Sequence, residues 1–458
     1  MGNMIVQSGV SSRASLTISE NAQSSLSAIG RTESAVTASG LSAVDLTQLT
    51  VMNQGDTVLD YFSGANYAAY SSSAVQSLSA GGTYTDPITG VTIIRLTDAT
   101  HPTTNSTGGH STYSDSGPWG SHPWQSGSQW YVTQFISINQ GTSYWLVDVD
   151  ITNVTAPTVS NYRALSGNYN PSGPISFCWS VKTDTPRIFY VLNGNYIRKY
   201  DSSTWPPTEV TDSPFPYNFG SSLGAQDAFF RSDLNEDWFS FKDGAGDGYC
   251  WQSSTDTLRG PYAVGDEWHM TRDGTYAHAF NSGSQAVYRL SDGASIGNSS
   301  ALKAHVASVR GGFIGHDYAV SGQEYKLIPS ASLSETVANN RGWYKDSVHH
   351  SGCWIQPSVP INEQYYSGDC GGPTNWPTDP YALGGCGFSR MDNDHGVVVC
   401  GHYSSPYTLY FGGDYWSTPF QNPSAGAHIF TFTSWMCYGD SNPASRYDLF
   451  AAILPRSS

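Results

Sequence analysis

From about residue 83 onward, short β-forming runs alternate with turn residues. They are rich in β-branched and aromatic side chains, which fit a pleated, half-buried surface. No stretch of helical periodicity lies between them, so the pattern predicts antiparallel hairpins in series and an all-β fold. The predicted strands are Val91–Leu96, Trp130–Phe135, Tyr144–Val149, Arg187–Leu192, Tyr196–Tyr200, Trp238–Lys242, Tyr276–Phe280, Ala286–Leu290, Tyr325–Ile328, Gly396–Cys400, Tyr407–Phe411, His428–Phe432 and Tyr447–Leu454.

Glycine turns accompany several of these strands. The dipeptides are Asn193-Gly194, Asp273-Gly274 and Asp292-Gly293. A tight hairpin needs positive φ at its turn, and these residue types adopt it at low cost. The turns therefore predict antiparallel pairing between sequence neighbours.

The stretch from residue 83 to residue 458 is too long for one β-sandwich. Propeller blades use roughly 40 to 50 residues each. The sequence therefore predicts a β-propeller with seven blades, or eight as the alternative, and an extended N-terminal arm. We expect Val91–Leu96 and Tyr447–Pro455, the first and last apolar runs, to pair in one blade, because that pairing closes the ring.

Residues 1–82 form the arm and differ in composition from the rest. The stretch 11–42 is mainly Ser, Ala, Thr and Gly, so it cannot bury enough surface alone to offset its ordering entropy. Leu41–Phe62 is more apolar, and we expect it to dock on another surface. Two interpretations of the arm stay open: a disordered leader, and a tether for self-assembly or for joining a larger assembly such as a virion.

The net charge of the chain indicates which binding partners to expect. The chain has 21 Lys and Arg against 37 Asp and Glu, a formal net charge of -16. An acidic surface repels phosphate, so nucleic acid is not an expected partner. The same field repels an acidic polysaccharide, so binding one requires a local cluster of basic side chains.

Targeting signals are not visible in the sequence. There is no apolar run of the ~20 residues that span a bilayer, and no basic segment followed by an apolar one near Met1. We therefore expect no membrane insertion. An extracellular or virion-surface location is the expectation.

The cysteines do not form a recognisable framework. There are seven, without a Cys-x-x-Cys pair: Cys178, Cys250, Cys353, Cys370, Cys386, Cys400 and Cys437. Buried, inert thiols are one interpretation. One disulfide within the loop-rich stretch from Cys353 to Cys386 is the other.

A series of motifs follows a fixed order along residues 84–455. They are Asp86–Asp98, His110–Ser114, Pro123-Trp124, Phe177–Ser180, Pro186–Tyr190, Asp266–Gly274, Gly315–Asp317, His350–Cys353, Val398–Ser404 and Phe430–Pro455. Their order resembles that in the propeller of polysaccharide lyases of the oligogalacturonate and ulvan kind. The resemblance implies β-elimination on a polysaccharide that contains uronic acid, and it leaves the arm unexplained.

The sequence departs from this resemblance in two turns. Manganese-dependent oligogalacturonate lyases carry a Gln-x-x-His-Pro-His-Pro turn before the last blade, whereas Tyr415–Pro423 contains no histidine. The turn Pro123–Ser128 also lacks the aspartate of the family pattern. The family's metal-binding histidines are therefore absent from the corresponding turn.

Lyase chemistry on a uronate has three requirements. The carboxylate must be neutralised, a base must remove the proton beside it, and an acid can protonate the leaving oxygen. His and Tyr suit the proton transfers, and Arg suits neutralisation. The candidate catalytic residues, which we expect to converge at one mouth of the central channel, are His110, Tyr113, His316, His350, His402 and Arg272.

Several of these candidates have structural alternatives. His316 with Asp317 can stabilise a blade, and His110 and His402 can bind only their own loops. His350 and Cys353 have spacing that could supply two ligands to zinc, and a divalent ion, zinc or calcium, is the one cofactor that the sequence leaves open.

Three further groups in the sequence favour structural roles. His269 and His278 flank a predicted hairpin. Asp233, Glu236 and Asp237 read as a solvated turn rather than as paired acid and base carboxylates.

Two functions therefore compete. One is a polysaccharide lyase. The other is a non-enzymatic virion or cell-surface protein whose propeller head binds glycan and whose arm anchors it. A protein-interaction scaffold of the WD type is the weakest hypothesis, because repeated Trp-Asp and Gly-His signatures are missing.

Overall fold

The computed structural model describes most of the region that the sequence assigns to strands. The described residues are 41–54, 57–58, 75, 77–104, 109–110, 119–138, 141–220, 229–265, 267–281, 284–299, 304–316, 324–328, 333–338, 365–370, 383–390, 395–403, 422–434 and 448–457. Within them, helix is confined mainly to single 3-10 turns, of which two are Leu46–Gln48 and Gly167–Tyr169. None of the helical segments in these ranges is long and apolar enough to cross a membrane.

Thirty-two strands are described, and we group them into sheets I to VII in chain order. Four strands come first: β1 (Thr50–Gln54), β2 (Thr57–Val58), β3 (Thr83–Thr85) and β4 (Thr92–Arg95). Sheet I contains β5 (Gly109–His110), β6 (Trp124–Ser126), β7 (Gln129–Ile138), β8 (Ser143–Asp150) and β9 (Thr158–Ala164). Sheet II contains β10 (Phe177–Trp179), β11 (Ile188–Asn193), β12 (Tyr196–Asp201), β13 (Thr208–Glu209) and β14 (Tyr217–Asn218).

The next three sheets complete the middle of the chain. Sheet III contains β15 (Arg231–Ser232), β16 (Trp238–Lys242), β17 (Asp247–Gln252) and β18 (Thr257–Ala263). Sheet IV contains β19 (Trp268–Met270), β20 (Tyr276–Asn281), β21 (Ser284–Arg289) and β22 (Ser295–Asn298). Sheet V contains β23 (Ala304–Val309), β24 (Gly312–His316), β25 (Glu324–Ile328) and β26 (Ser334–Ala338).

The last two sheets combine strands from the two ends of the chain. Sheet VI contains β27 (Tyr365–Cys370), β28 (Leu383–Arg390) and β29 (His395–Tyr403), extended by β1 and β2. Sheet VII contains β30 (Asn422–Pro423), β31 (Ile429–Ser434) and β32 (Asp448–Ile453), extended by β4 and β3. Tyr407–Phe411, predicted as a strand, lies outside the described residues.

The fold is all-β, as the residue pattern predicts, and its hairpins follow one another along the chain. In sheets III, IV and V each strand pairs antiparallel with the next. Gly194, Gly274 and Gly293 have φ of 55°, 66° and 77°. The predicted positive φ at these turns is therefore confirmed.

The core lies between the sheets. Each apolar cluster joins one sheet to its successor: Phe135 packs on Phe177 between sheets I and II, with ring centroids 4.3 Å apart. Phe230 and Trp251 of sheet III pack with Tyr190 of sheet II. The same arrangement joins sheet III to IV, IV to V and VII to I. Sheets that pack face to face in chain order are propeller-like.

The expected pairing of the first and last apolar runs is confirmed. Strand β32 pairs antiparallel with β4, with Ala451 opposite Ile94 and Ala452 opposite Ile93. A buried ion pair crosses the junction, with Arg95 Nη2 2.5 Å from Asp448 Oδ2. Thr97 Oγ1 donates to the other oxygen of the same carboxylate at 2.9 Å.

The described part of the arm is joined to the sheets. Strand β1 pairs antiparallel with β29, with Val51 opposite Val397. Val44 forms a β-bridge with Arg456, and Leu41 packs into the cluster between sheets VII and I. These contacts agree with the docking expected for Leu41–Phe62, while the division of the chain at residue 82 stays a prediction.

Three of the cysteines lie among the described side chains. Cys178, Cys250 and Cys400 are buried, and Cys178 and Cys250 carry free thiols. Burial raises the pKa of the Cys178 and Cys250 thiols well above the usual range. These two thiols are therefore poor nucleophiles, whereas Cys353, Cys370, Cys386 and Cys437 have no described side chain.

Leu41 gives a test of the docked segment. Leu41→Ala removes a side chain that is 8% exposed within the core cluster, so we expect the free energy of unfolding to fall by about 2 kcal/mol. Urea denaturation measures this. Leu258→Ala is the matched control, because Leu258 is 38% exposed and should cost less than about 0.5 kcal/mol. Equal effects of the two substitutions would show that Leu41 does not dock.

The terminal ion pair gives a second test. Asp448→Asn leaves the Arg95 guanidinium buried without its carboxylate, so we expect a loss of about 3 to 5 kcal/mol in unfolding free energy. Asp292→Asn serves as the control, because the Arg289–Asp292 pair has the same 2.5 Å separation on the surface and should contribute nothing measurable. An Asp448→Asn variant as stable as the unmodified protein would contradict a stabilising role for the Arg95–Asp448 pair.

Candidate functional site

The first strands of sheets III, IV and V bring several polar side chains together. Arg231 on β15 donates from Nη1 to Ser308 Oγ of β23 at 2.7 Å. Its Nη2 lies 3.3 Å from Nδ1 of His269 on β19. Arg231 therefore spans three sheets, although it is only 1% exposed.

His269 continues this chain to a carboxylate. Its Nε2 lies 2.9 Å from Oε2 of Glu267, the residue that precedes β19. Glu267 Oε2 also accepts from the backbone N–H of Val306 on β23, at 3.3 Å. His269 is 0% exposed and Glu267 is 1% exposed, so the network is inside the protein.

A lysine and a strained phenylalanine adjoin the network. The Phe229 ring centroid is 5.5 Å from that of His269, and Lys242 Nζ is 5.5 Å from the Phe229 ring centroid. Phe229 has a φ of 40°, a left-handed conformation that is uncommon for a bulky residue. Such strain concentrates at binding and catalytic sites, so these residues extend the candidate site. We call Phe229, Arg231, Lys242, Glu267, His269 and Ser308 the inner-strand cluster.

Most of this cluster was missed from the sequence. Arg231 follows Phe229 and Phe230 directly, so a charge inside an apolar run is the signal that could have indicated it. His269 was interpreted as structural. Contacts between residues 38 and 77 positions apart, such as Arg231 with His269 and Ser308, cannot be read from local patterns.

Arg272, a predicted catalytic residue, is buried beyond the other end of β19. Its backbone N–H donates to Val309 O, and its Nη1 lies 3.4 Å from Ser232 O. It lies five positions after Glu267, which corresponds to roughly 17 Å of extended chain. Its catalytic role stays a prediction.

The remaining sequence candidates have no described side chains. His110, His316 and His402 lie on β5, β24 and β29, where the backbone alone is described. Tyr113, His350 and Cys353 lie outside the described residues. Their convergence at one channel mouth stays a prediction.

The interpretation of Asp233, Glu236 and Asp237 as a solvated turn is wrong for its first two members. Asp233 is 1% exposed and Glu236 is 8% exposed. Glu236 reaches sheet II, where it accepts from Tyr190 O–H at 2.8 Å and from Val181 N–H at 2.8 Å. Glu236 therefore satisfies donors of another sheet, whereas Asp233 accepts from the backbone N–H groups of Asp237 and Trp238 in its own turn.

Burial also changes the ionisation of groups near the inner strands. It raises the pKa of Asp233 to about 6, against backbone donors at Asp237 and Trp238 that lower it. Burial lowers the pKa of His278, which lies opposite His269 in the sheet, to about 3. His278 is therefore neutral at physiological pH, in agreement with its expected structural role.

The described residues do not fit a metal site. No three His, Cys, Asp or Glu side chains with described positions are grouped so that they could hold an ion. The turn that carries the histidines in manganese-dependent lyases contains none in this sequence, from Tyr415 to Pro423. The zinc ligands suggested by His350 and Cys353 lie outside the described residues.

Comparison with known proteins supports the fold. No family model matches the sequence, and no curated protein matches it either. A crystal structure of oligogalacturonate lyase from Vibrio parahaemolyticus matches with a TM-score of 0.50 and 12% identity, covering 82% of this chain and 96% of that one.

Two further structures extend the comparison. An oligogalacturonate lyase in complex with manganese has a TM-score of 0.50 and 13% identity, over 82% of this chain and 99% of that one. Hsv2 from Kluyveromyces lactis matches with a TM-score of 0.34 and 10% identity, over 54% of this chain and 67% of that one. The chain thus has a distant structural relationship to oligogalacturonate lyases, without a match at the level of sequence.

Asp233 gives a pH-dependent test of the site. Its folded-state pKa of about 6 lies above the ordinary 3.8, so the fold favours the protonated acid, and this contribution is lost as pH rises from about 4 to about 6. Asp233→Asn mimics the neutral acid and keeps an oxygen for the N–H groups of Asp237 and Trp238. We expect its unfolding free energy, relative to the unmodified protein, to rise by about 2 to 3 kcal/mol over that pH range. Urea denaturation from pH 4 to 8 gives the unfolding free energy of both proteins. If the difference between them does not change with pH, the pKa of Asp233 is not raised.

Proposed function

We propose that the protein is a seven-bladed β-propeller that acts on a polysaccharide containing uronic acid, as a lyase that cleaves by β-elimination. Three observations support the propeller: seven antiparallel sheets, their face-to-face packing in chain order, and the pairing of β4 with β32. The fold shared with oligogalacturonate lyases supports the substrate class.

The inner-strand cluster is the observation that carries the proposal. The protein has a formal net charge of -16, so an acidic glycan needs a local concentration of positive charge. Arg231 and Lys242 supply it on neighbouring strands of sheet III, and both are buried. An arginine fork matches a carboxylate geometrically, and low dielectric strengthens the interaction.

In this proposal, Arg231 neutralises the uronate carboxylate. Neutralisation delocalises the charge that develops when the adjacent proton leaves, which is the costly step of the elimination. A base drawn from His110, Tyr113, His316, His350 and His402 takes that proton. The electron pair left behind forms a carbon–carbon double bond as the bond to the leaving glycosidic oxygen breaks, and that oxygen takes a proton from an acid of the same set or from water. Arg272 is a further candidate for neutralisation.

The location and partners belong to the same proposal. Polysaccharide is the partner of the propeller, and self-association or attachment to a virion is the proposed role of the arm. We place the protein in the extracellular space or on a virion surface, where polysaccharide is available as a substrate. Neither nucleic acid nor membrane insertion is part of it.

A second candidate is a glycan-binding head without enzymatic activity. The observation that favours it is burial: His269 is 0% exposed and Glu267 is 1% exposed, which suits a structural network as well as a catalytic one. Binding without turnover distinguishes this candidate from the lyase.

A substrate panel tests the function. We expect polygalacturonate, ulvan and related uronate polymers to include one that yields unsaturated uronate ends, detected by ultraviolet absorbance. Arg231→Met should lower kcat/KM by about 10² or more, because it removes a preorganised cation from the site. Arg289→Met is the control, since Arg289 pairs with Asp292 on the surface. Absorbance that never rises, combined with saturable binding of one polymer, would replace the lyase by the glycan-binding head.

A further inference from the structure

We propose that Glu267 and His269 are positioning residues that hold Arg231, and that His269 is not the base that removes the proton. The inference rests on the proposed function in one respect, namely that Arg231 meets the anionic sugar. It assigns a role and a protonation state to His269, neither of which follows from the order of the motifs alone.

The two ring nitrogens of His269 have different partners, and these fix the tautomer. A guanidinium group has donors and no acceptor, so Nδ1, which lies 3.3 Å from Arg231 Nη2, must present its lone pair. The carboxylate of Glu267 is an acceptor, so Nε2, which lies 2.9 Å from it, must carry the proton. His269 is therefore neutral with its proton on Nε2.

A proton on Nδ1 would have two penalties. It would place a donor against the donors of Arg231, and it would place an imidazolium beside a guanidinium inside the protein. The lone pair that a general base needs is thus already engaged by Arg231. Base catalysis by His269 would require this contact to break first.

Glu267 holds the imidazole in turn. The backbone N–H of Val306 donates to the same Glu267 oxygen that faces Nε2, so the carboxylate is tied to β23 as well as to β19. A histidine oriented by a carboxylate on one nitrogen presents the other in a fixed direction. The fixed partner here is Arg231.

Arg231 is consequently oriented by neutral acceptors on two strands. Ser308 Oγ on β23 accepts from Nη1 at 2.7 Å, and His269 Nδ1 on β19 accepts from Nη2. A hydroxyl and a neutral imidazole orient a guanidinium through hydrogen bonds to two of its nitrogens. An orientation of this kind suits recognition of an anionic group, here the carboxylate of a uronate.

Two substitutions at His269 separate positioning from base catalysis. The side-chain amide of Asn reaches the place of Nδ1, so His269→Asn can still offer an oxygen to Arg231. The longer Gln reaches the place of Nε2, so His269→Gln retains the Glu267 contact and loses the one to Arg231.

The first measurement uses the unmodified full-length protein and needs no substrate. The chain has 12 histidines, so uniform ¹⁵N labelling of histidine followed by long-range ¹H–¹⁵N correlation resolves their tautomers, and the signal lost in His269→Asn identifies this one. We expect the neutral Nε2–H form at pH 7. The Nδ1–H tautomer or an imidazolium would overturn the proposal.

The second measurement uses oligogalacturonate as the probe, with calorimetric binding and the ultraviolet assay. Positioning predicts that His269→Gln weakens binding at least about tenfold more than His269→Asn, with the pH dependence of kcat unchanged in shape. Equal losses in both variants, with an altered pH profile of kcat, would assign the base to His269 and overturn the inference.

The two proposals fail in different ways. If the protein neither binds nor cleaves uronate polymers while His269 shows the Nε2–H form, the lyase proposal fails and the internal arrangement of Arg231 stands. If cleavage occurs while His269 shows the other tautomer, the arrangement is wrong and the lyase proposal stands. Circular dichroism melting of each variant establishes that it is folded.

Discussion

The described apolar clusters lie between sheets that are neighbours in the chain or at its two ends. Phe135 against Phe177, and Tyr190 against Phe230 and Trp251, are local instances of one constraint. Each of these clusters is shared between two sheets, so the described core belongs to pairs of sheets. Stability is therefore cooperative between sheets, and the first strand of each sheet is held where the polar cluster needs it.

Burying polar groups among these strands imposes a second constraint. Arg231, His269 and Glu267 are removed from water, and each must find a partner on another strand because an unpartnered buried charge is strongly unfavourable. The result is a connected network across sheets III to V. Between sheets II and III, the buried Glu236 carboxylate likewise accepts hydrogen bonds from Tyr190 and Val181. A network satisfied in this way is rigid, which suits a group that must recognise an anion in one orientation.

The sequence was informative wherever structure depends on near neighbours. The β-forming residues of Trp238–Lys242 located β16, and glycine turns predicted the hairpins. The pairing of the first and last apolar runs was also accessible, because pairing covers the strand edge that each run would otherwise expose. The motif order indicated a fold that the comparison with oligogalacturonate lyases supports.

Other features depend on distance through space and were not accessible. Nothing near Thr50–Gln54 indicates that it pairs with a strand more than three hundred residues later. The burial of Glu236 likewise depends on donors that the preceding sheet supplies. Polar residues in a turn have the same local pattern whether the turn faces water or another sheet.

The pairing of β1 with β29 and of β4 with β32 also sets an order of events during synthesis. Both early strands leave the ribosome long before their partners exist, because β29 and β32 come from the last part of the chain. Sheets I to V can form as hairpins while translation proceeds, whereas sheets VI and VII have to wait. Until then the early apolar strands are exposed to solvent, and the nascent chain has a period in which chaperones or premature association compete for the edges that its own C-terminal strands will later cover.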